Sequence, residues 1–446
     1  MIVLPGIMGS ELVDATSGKT LWGLADPGWY LRAWTSGSSL DALRVTDEER
    51  AGSAGRIKAT RLLQFPAFAP VLRGFEPYTA LVRSIRRVVL DPAAVLSFAY
   101  DWRLSTAHNA RILADAAENH LRMWRAHPRG SAGAKLVLVA HSMGGLVARY
   151  FTGVLGGDSE VRTTVTLGTP FRGAVKAALI LSSGRGSPVP LPRSLLRRLC
   201  ATMPGLHDLL PSYRCVLDGT RVRRLIPSDV TALGGDEELA EDAARLHDQL
   251  TAVSVDRLRT VVGVGQPTMQ SLTVEGGAVT PQLWAYQPGL EPGQMRFADR
   301  GGDETVYRES AAGGVEPLYL AQSHGALAST SEAVSHVCGV LTEEPLGPWL
   351  GAPSSLGLHV PDMATVGEPI EIVASSDEDF AAVTCRVTDA RSGAPIAYPM
   401  LTSRDGTLKV RLTVDQPGVY RVALKGEAFS PVTQLVMVTP RAPEVG

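Results

Sequence analysis

Residues 136–151 read LVLVAHSMGGLVARYF, and this stretch constrains the fold more than any other part of the chain. The apolar run at its start is typical of a strand that is buried on both faces of a parallel sheet. After the Ser-Met-Gly-Gly turn, apolar residues recur at the spacing of one helix face, at Met143, Leu146, Val147, Tyr150 and Phe151. The stretch therefore predicts a strand, a tight turn and a helix.

Residues 1–343 continue this alternation of strands and helices. Further strands are predicted at MIVLPG, TLWGL, AAVLSFAYDW, VRTTVTLGT and LRTVVGVG, and helices at EPYTALVRSIRRVV and STAHNARILADAAENHLRMWRAH. Strands separated by helices favour a doubly wound, mostly parallel sheet. Residues 174–255 are too long for a connection, so we interpret them as an inserted cap. The cap's leucines suit an acyl chain, although packing within the cap itself is the favoured explanation.

The composition changes after residue 343. Residues 344–355 are rich in Pro and Gly and are interpreted as a linker. Residues 356–441 contain short strand patterns with turn residues between them: EPIEIVASS, AAVTCRVTDA, IAYPMLTS, TLKVRLTV, GVYRVALKG and TQLVMVTP. This spacing predicts a second, all-β domain of the immunoglobulin-like sandwich type.

Charge and composition exclude several classes of function. The 446 residues carry a formal charge of −2, and no Lys- or Arg-rich run is present, which argues against a nucleic-acid partner. No signal peptide and no apolar run near the roughly 20 residues that span a bilayer are visible, so we expect a cytoplasmic protein with at most peripheral membrane contact. The cysteines lack metal-ligand spacing. Cys200 and Cys215 could pair in an oxidising compartment, but reduced thiols are the favoured state.

Ser142 is the candidate nucleophile. The motif G-x-S-x-G places a serine on a strained turn between a strand and a helix, at the carboxyl edge of the sheet. Here the motif reads Ala140-His141-Ser142-Met143-Gly144, with Ala as a small substitute for the first Gly. The alternative, a tight turn with an incidental serine, is disfavoured because the whole context of strand, turn and helix matches the motif.

A nucleophilic serine needs a base and an orienting acid, which follow it in the order acid, then His, in this type of fold. Asp303 follows two glycines, and His324 lies in a Ser-His-Gly turn that opens a helix. Asp299 and Glu304 compete for the acid role, but the Gly-Gly turn favours Asp303. The side chain next to the nucleophile, His141, should point away from its hydroxyl and have a supporting role at most.

The predicted site also requires two backbone amides that stabilise an oxyanion. Met143, the residue after the nucleophile, supplies one. The early stretch IVLPGIMGS ends a strand at Pro-Gly and leaves the amide of Ile7, or of Met8, as the second donor. A simple Pro-Gly turn is the alternative for this stretch considered alone.

Eight stretches together resemble one family, the lecithin:cholesterol acyltransferase-like α/β-hydrolases, which include lysosomal phospholipases and phospholipid:diacylglycerol acyltransferases. In chain order they are VLPGIMGSEL, AYDWRLS, VLVAHSMGGLVARYF, TLGTPFRGA, LLPS, VGVGQPT, GGDETV and HGAL, and they span roughly residues 1 to 340. The resemblance implies an α/β-hydrolase core with a cap and a triad of Ser142, Asp303 and His324. It also implies that Ile7 and Met143 form the oxyanion hole.

The resemblance adds one candidate and one departure. It implies that Trp102, in the block Tyr-Asp-Trp-Arg, contacts the acyl chain or headgroup, with a packed core aromatic as the alternative. The family's acid motif commonly reads Gly-Asp-Gly-Thr-Val, whereas Glu304 occupies the third place here and adds a charge beside the acid.

These observations predict a serine acyl-ester hydrolase or acyltransferase that acts on a lipid-like ester, possibly a phospholipid, and passes its acyl group to water or to an acceptor alcohol without a metal or organic cofactor. The β-sandwich is a candidate binding module for a protein or a glycan. Two rivals remain: a non-catalytic, partner-recruiting protein on a hydrolase scaffold, and a hydrolase of thioesters or peptides in a biosynthetic or defence pathway.

Overall fold

The structure is a computed structural model. It describes residues 1–23, 37–53, 55–63, 78–185, 192–219, 221–254, 256–288, 295–343, 356–361, 363–376, 383–390, 392–404, 407–426 and 429–440. The predicted linker, residues 344–355, lies outside the described residues.

A six-stranded sheet forms the centre of the larger part of the chain. Its strands, from one edge to the other, are Leu318–Leu320, Leu258–Gly263, Val161–Leu167, Leu136–His141, Ile2–Leu4 and Leu96–Ser97. All neighbouring pairs are parallel. The predicted parallel α/β architecture is therefore confirmed.

The continuously apolar strand Leu136–His141 is buried on both faces, as its sequence predicts. Leu136, Leu138 and Ala140 join the main hydrophobic core together with helix Thr106–Ala126. Val137 and Val139 point to the opposite face, where helices Thr79–Val88 and Ser331–Thr342 complete a second core. The central sheet thus lies between two layers of helices.

The order of the central strands locates a crevice. We number the strands of this sheet in chain order. The first, Ile2–Leu4, lies between the second, Leu96–Ser97, and the third, Leu136–His141. Connections that leave a sheet in opposite directions on either side of such a reversal open a crevice at the carboxyl ends of the strands. Ser142 follows the third strand directly, and the segment that begins at Pro5 follows the first, so both segments border this crevice.

Further elements accompany the central sheet in the described part of residues 1–343. Smaller sheets comprise Thr20–Trp22, Ser10–Asp14 and Ile57–Leu62; Ala278–Gln282, Ser271–Glu275, Val216–Asp218 and Arg221–Arg223; and the pair Ala285–Pro288 with Met295–Ala298. The other α-helices are Ser38–Asp41, Asp47–Arg50, Met143–Arg149, Val175–Ser183, Arg193–Ala201, Pro204–His207, Pro227–Ala232, Glu237–Ala252 and Arg308–Ala311. Short 3-10 turns occur at Pro92–Ala94, Gly157–Glu160 and His324–Ala326, and a π-helical segment, Tyr150–Val154, extends the helix after Ser142.

Most leucines of residues 195–210 in the predicted cap are core residues, and Leu195 is partly buried against the same cluster. The core leucines are less than a tenth exposed and belong to the main hydrophobic cluster: Leu196, Leu199, Leu206, Leu209 and Leu210. This burial favours the explanation that they hold the cap together.

Two strand predictions are wrong in extent. Only Leu96–Ser97 of the stretch AAVLSFAYDW is a strand, because this edge strand is paired on one side and the chain then leaves the sheet, where the amide of Tyr100 donates to Ser10 Oγ. The stretch IAYPMLTS does not form one strand but contributes to Pro395–Ala397 and Thr402–Arg404, which belong to different sheets. A proline between them, at position 399, has no amide hydrogen to continue a ladder.

Residues 356–440 form two sheets around one core. The four-stranded sheet contains Leu356–His359, Pro369–Ser376, Thr407–Thr413 and Thr402–Arg404. The five-stranded sheet contains Met363–Thr365, Phe429–Thr439, Gly418–Gly426, Thr384–Asp389 and Pro395–Ala397. Side chains from both sheets, among them Ile372 and Val422, share one hydrophobic cluster. We call this part of the chain the sandwich; its immunoglobulin-like topology stays a prediction.

Two further observations concern the cysteines and helices that could span a membrane. The four cysteines are free thiols in this structure, and burial raises the pKa of Cys200 and of Cys215 to about 12. Within the part of the chain that the structure describes, no helix combines the length and the apolar character needed to cross a membrane.

Candidate active site

Ser142 sits on a strained turn at the carboxyl end of the central sheet. Its backbone has φ 51° and ψ −126°, a conformation that costs free energy for a residue other than glycine. The turn is fixed from below, because the amide of Ser142 donates to the carbonyl of Leu167 on the neighbouring strand at 2.9 Å. The strain aims the side chain out of the strand instead of into the core.

The two glycines after the serine allow its helix to approach the sheet. A Cβ atom at Gly144 would overlap the carbonyl of Pro5, and one at Gly145 would overlap the hydroxyl of Thr169. Small residues are therefore required at both positions, as the motif predicts.

Ser142, His324 and Asp303 form a continuous hydrogen-bonded row. His324 Nε2 lies 2.8 Å from Ser142 Oγ, and His324 Nδ1 lies 2.8 Å from Asp303 Oδ2. Because a carboxylate only accepts, Nδ1 carries the ring proton, and Nε2 of the neutral ring accepts the serine hydroxyl proton. The structure thus brings together the three side chains that the sequence analysis selected.

Asp303 is held by its own loop. The carboxylate is fully buried, and its other oxygen, Oδ1, accepts from the amides of Thr305 and Val306 at 3.0 and 2.7 Å. Its carbonyl also accepts from the amide of His324 at 2.7 Å, so backbone and side chain both link the acid to the base. Of the competing acids, Asp299 is engaged elsewhere, since it accepts from Gln270 Nε2 and from a nearby amide.

The candidate oxyanion donors lie beside the serine. A Cβ atom at Gly6 would be 3.4 Å from Ser142 Oγ, so Gly6 lies beside the nucleophile. Ile7 and Met8 occupy the centre of a turn closed by the amide of Gly9 donating to the carbonyl of Gly6, with Met8 at φ 64°. Among the described residues, the amides of Ile7 and Met143 have no acceptor. Both can therefore donate to a ligand, as an oxyanion hole requires.

A buried polar chain connects these segments, and the sequence analysis did not foresee it. The amide of Gly6 donates to Tyr78 Oη at 2.9 Å, and Tyr78 Oη lies 3.0 Å from His141 Nδ1. His141 Nε2 in turn lies 3.0 Å from the carbonyl of His324. The carbonyl only accepts, so Nε2 carries the ring proton, and the single hydroxyl proton of Tyr78 goes to Nδ1.

This chain of hydrogen bonds requires that the His141 ring is neutral. Burial, with a smaller contribution from the nearby His324 ring, lowers the pKa of His141 to about 3. The pair Tyr78 and His141 therefore links three parts of the site: residues 6–8, which we call the oxyanion segment, the serine turn, and the backbone of His324. No periodicity in the sequence identifies Tyr78, because its role depends on a partner 63 residues away.

Trp102 is placed as a core residue. Its side chain is 2% exposed, its Nε1 donates to the carbonyl of Ser10 at 3.2 Å, and its ring meets Trp22 edge-on at 5.1 Å. These contacts favour the packed-aromatic alternative over substrate contact.

Gly168 is a second residue of the site that was not identified from the sequence. It has φ 60°, and a Cβ atom there would lie 3.0 Å from Asp303 Oδ2 and 3.1 Å from His324 Nδ1. Only glycine leaves room for the acid–base pair at this position. As for metals, the described residues contain no group of three His, Cys, Asp or Glu side chains arranged to hold an ion.

Comparison with known proteins confirms the resemblance that the motifs predict. The family model described as lecithin:cholesterol acyltransferase matches residues 71–269. The chain is 26% identical over 161 residues to a phospholipid:diacylglycerol acyltransferase of Schizosaccharomyces pombe (strain 972 / ATCC 24843) and 32% identical over 95 residues to the human lysosomal phospholipase A and acyltransferase. These alignments cover 34% and 21% of this chain, and 24% and 22% of the two relatives.

Among solved structures, the chain is similar to one from the Tle4–Tli4 complex, with a TM-score of 0.49 and 17% sequence identity. That similarity covers 77% of this chain and 97% of the other. Ser142 lies within the region matched by the family model, whereas Asp303 and His324 follow it.

Proposed function

We propose that this chain, which resembles the lecithin:cholesterol acyltransferase family over residues 71–269, is a serine acyl-ester hydrolase or acyltransferase. The observation that carries the proposal is the row Ser142 Oγ, His324 and Asp303, with both hydrogen bonds at 2.8 Å, on a strained turn at the crevice of the sheet. A serine, a base within hydrogen-bond reach and an acid that orients the base are the parts that acyl transfer needs.

The reaction begins at the serine hydroxyl. His324 Nε2 takes the proton as Ser142 Oγ attacks the ester carbonyl carbon, and the carbonyl electrons move to the oxygen. The amides of Ile7 and Met143 stabilise the resulting oxyanion. Asp303 keeps the ring in the tautomer that accepts at Nε2 and stabilises the imidazolium.

The intermediate then collapses. The oxyanion electrons re-form the carbonyl as the bond to the leaving oxygen breaks. His324 Nε2 gives its proton to that oxygen, which departs as an alcohol, and the acyl group stays on Ser142. Water or an acceptor alcohol attacks the acyl carbon next, with His324 again as the base, and Ser142 is released with its proton. Hydrolysis and transfer differ only in this second acceptor.

We propose a lipid-like ester as the substrate. The support is the names of the two relatives, one named for phospholipid and diacylglycerol, the other for phospholipase activity. The alignments cover 24% and 22% of the two relatives, so we leave the acyl chain and the acceptor to the experiment.

Covalent labelling tests the proposal. The folded chain is incubated with a fluorophosphonate, which forms a bond to an activated serine, and the adduct is located by peptide mass spectrometry. We expect a single adduct at Ser142 and none in the variant Ser142→Ala. Ser182→Ala is the matched control, because Ser182 is also buried but bonds only to the backbone of Leu179.

A substrate panel then separates the rival functions. Short-chain esters, phospholipids, triglycerides, a thioester and a peptide are offered with and without an alcohol. Turnover of esters supports the proposal, and a new ester in the presence of alcohol identifies a transferase. A folded protein without an adduct at Ser142 would instead favour a non-catalytic scaffold, and turnover confined to thioesters or peptides would contradict the proposed substrate class.

A further inference from the structure

The sandwich contacts the two loops that carry the acid and the base. We call residues 301–304 the acid loop and residues 321–324 the base loop. Gln434 Nε2 of the sandwich donates to Glu304 Oε1 at 3.3 Å, and Ser323 Oγ donates to the carbonyl of Thr433 at 3.1 Å. Both contacts are one peptide unit from a member of the triad, since Glu304 follows Asp303 and Ser323 precedes the base.

The orientation of the Gln434 side-chain amide is fixed by two hydrogen bonds to Val360. Its Oε1 accepts from the amide of Val360 at 2.9 Å, and its Nε2 donates to the carbonyl of Val360 at 3.1 Å. Because the oxygen must face the amide of Val360, the second N–H has one direction left, toward Glu304. The side chain is 6% exposed, so water hardly competes for these bonds.

The backbone of Glu304 is strained at the position from which its side chain makes this contact. Its φ is 81°, in the left-handed region that a residue with a Cβ atom adopts only under strain. Glycine would remove the strain, and the acid motif discussed above commonly has glycine at this place. A glutamate here is explained if its carboxylate is used, and Gln434 is the partner that it reaches on the sandwich.

The acid loop is also held from its other side. Gln266 pairs with Asp303 in a parallel bridge, and its amide donates to the carbonyl of Gly302 at 3.0 Å. Gln266 Oε1 accepts from the amide of Leu358 on the sandwich at 3.2 Å. Gly357 permits this approach, since a Cβ atom there would lie 2.7 Å from the carbonyl of residue 265.

The base loop makes an apolar contact as well. Ala321 packs against the hydrophobic core of the sandwich, three residues before the base. The two loops that must keep His324 and Asp303 at 2.8 Å therefore each rest on the same second domain.

We infer that the sandwich is a positioning element of the candidate active site, and that Gln434 and Glu304 are positioning residues that fix Asp303 and, through it, the ring of His324. This inference rests on the proposed function. Neither residue touches substrate. Their contribution is to hold the base in line with Ser142, and a displacement of about 1 Å in such an alignment reduces turnover by roughly a hundredfold.

The test uses the full chain and four variants. Gln434→Ala removes the donor, Glu304→Gly removes both the acceptor and the backbone strain, and Glu304→Gln keeps an oxygen that can accept. Gln416→Ala is the matched control, because Gln416 is an exposed glutamine of the same sandwich. For each we measure kcat and KM on a soluble ester, the thermal midpoint, and the downfield NMR resonance of the proton between His324 and Asp303.

We expect Gln434→Ala and Glu304→Gly to lower kcat roughly tenfold to a hundredfold with KM unchanged, and to shift or broaden the proton resonance. Glu304→Gly should keep or raise the thermal midpoint, which a merely structural role would not combine with a lower kcat. Glu304→Gln should recover most of the activity, and Gln416→Ala should match the wild type.

The two proposals fail in different ways. A wild-type chain that is not labelled at Ser142 contradicts the proposed function. A labelled wild type whose folded Gln434→Ala and Glu304→Gly variants keep the wild-type kcat and proton resonance overturns only the inference about the sandwich. The resonance reports the His324–Asp303 geometry directly, so a variant with reduced kcat and an unaltered resonance also overturns it.

Discussion

Removing one hydroxyl group, in Tyr78→Phe, tests whether the buried polar chain positions the oxyanion segment. The substitution keeps the ring, which lies 5.8 Å from the ring of His141. It removes the acceptor of the Gly6 amide and the donor to His141 Nδ1, whose distances to the hydroxyl are 2.9 and 3.0 Å. Two buried polar groups are therefore left without partners by the loss of a single atom.

The size of the effect follows from these two groups. Each buried group without a partner costs about 1–3 kcal/mol, so the free energy of unfolding should fall by roughly 2–6 kcal/mol if no water enters. The effect on kcat has a ceiling, because loss of one complete oxyanion donor costs about 10²–10³. Since Ile7 is released from a fixed neighbour but not removed, we expect a decrease in kcat of roughly tenfold, or about 1.4 kcal/mol in the barrier.

The assay combines steady-state hydrolysis of a soluble ester with urea unfolding of the same preparation. KM should change little, because the polar chain supports the intermediate more than the bound ester. Tyr420→Phe is the matched control: its hydroxyl donates to the carbonyl of Gln416 within the sandwich, and its side chain is 3% exposed. The control should lose stability without losing kcat at temperatures where it stays folded.

A folded Tyr78→Phe protein with wild-type kcat would refute the reasoning. It would show that the Gly6–Ile7 backbone keeps its place without the hydroxyl. Equal losses of kcat in Tyr78→Phe and in Tyr420→Phe would likewise show that the decrease reflects general destabilisation.

Two further predictions concern carboxylates. Asp303→Asn should lower kcat by about 10⁴, because the amide no longer holds the His324 tautomer. The control Asp299→Asn, four residues earlier in the chain, should have a small effect, and steady-state kinetics of both variants decides which residue is the acid. Asp208 is a buried carboxylate whose pKa is raised by burial from 3.8 to about 7. The folded state keeps its proton up to about pH 7 while the unfolded state loses it near 3.8, so this group's contribution to stability decreases as the pH rises through that range. Asp208→Asn retains an acceptor for the amide of Thr106, which donates to Asp208 at 2.6 Å, and should raise the thermal midpoint at pH 8 but not at pH 4; an equal shift at both pH values would contradict the sign.

The local parts of the site could be predicted from the sequence. The strand Leu136–His141, the turn at Ser142 and the glycines after it depend on contacts between neighbours in the chain, and their residue types record those contacts. The choice of Asp303 and His324 used the chain order of the motifs and the glycine-containing turns beside them, and the structure places both within hydrogen-bond distance of each other.

The contacts between distant segments could not be predicted in this way. Tyr78 looks like an ordinary residue at the start of an amphipathic helix, and only the packing of that helix on the sheet brings its hydroxyl to Gly6. Trp102 shows the opposite case, since a motif near a cleft does not reveal whether an aromatic ring faces the substrate or the core. The extent of edge strands, such as Leu96–Ser97, depends on pairing that a single stretch of sequence does not encode.

The same distinction explains why the departure at Glu304 is informative. The serine turn is local and is held by the central sheet, since the amide of Ser142 donates to the carbonyl of Leu167 on the neighbouring strand. The base is 182 residues from the serine, and its alignment has to be fixed by contacts that reach across the fold. A charged residue in a left-handed backbone conformation, next to the candidate acid and facing the Gln434 amide that Val360 holds, is what we expect of a site whose alignment the sandwich supplies. On this proposal the candidate triad and the sandwich are parts of one site, and substitutions at their contact should affect turnover before they affect binding.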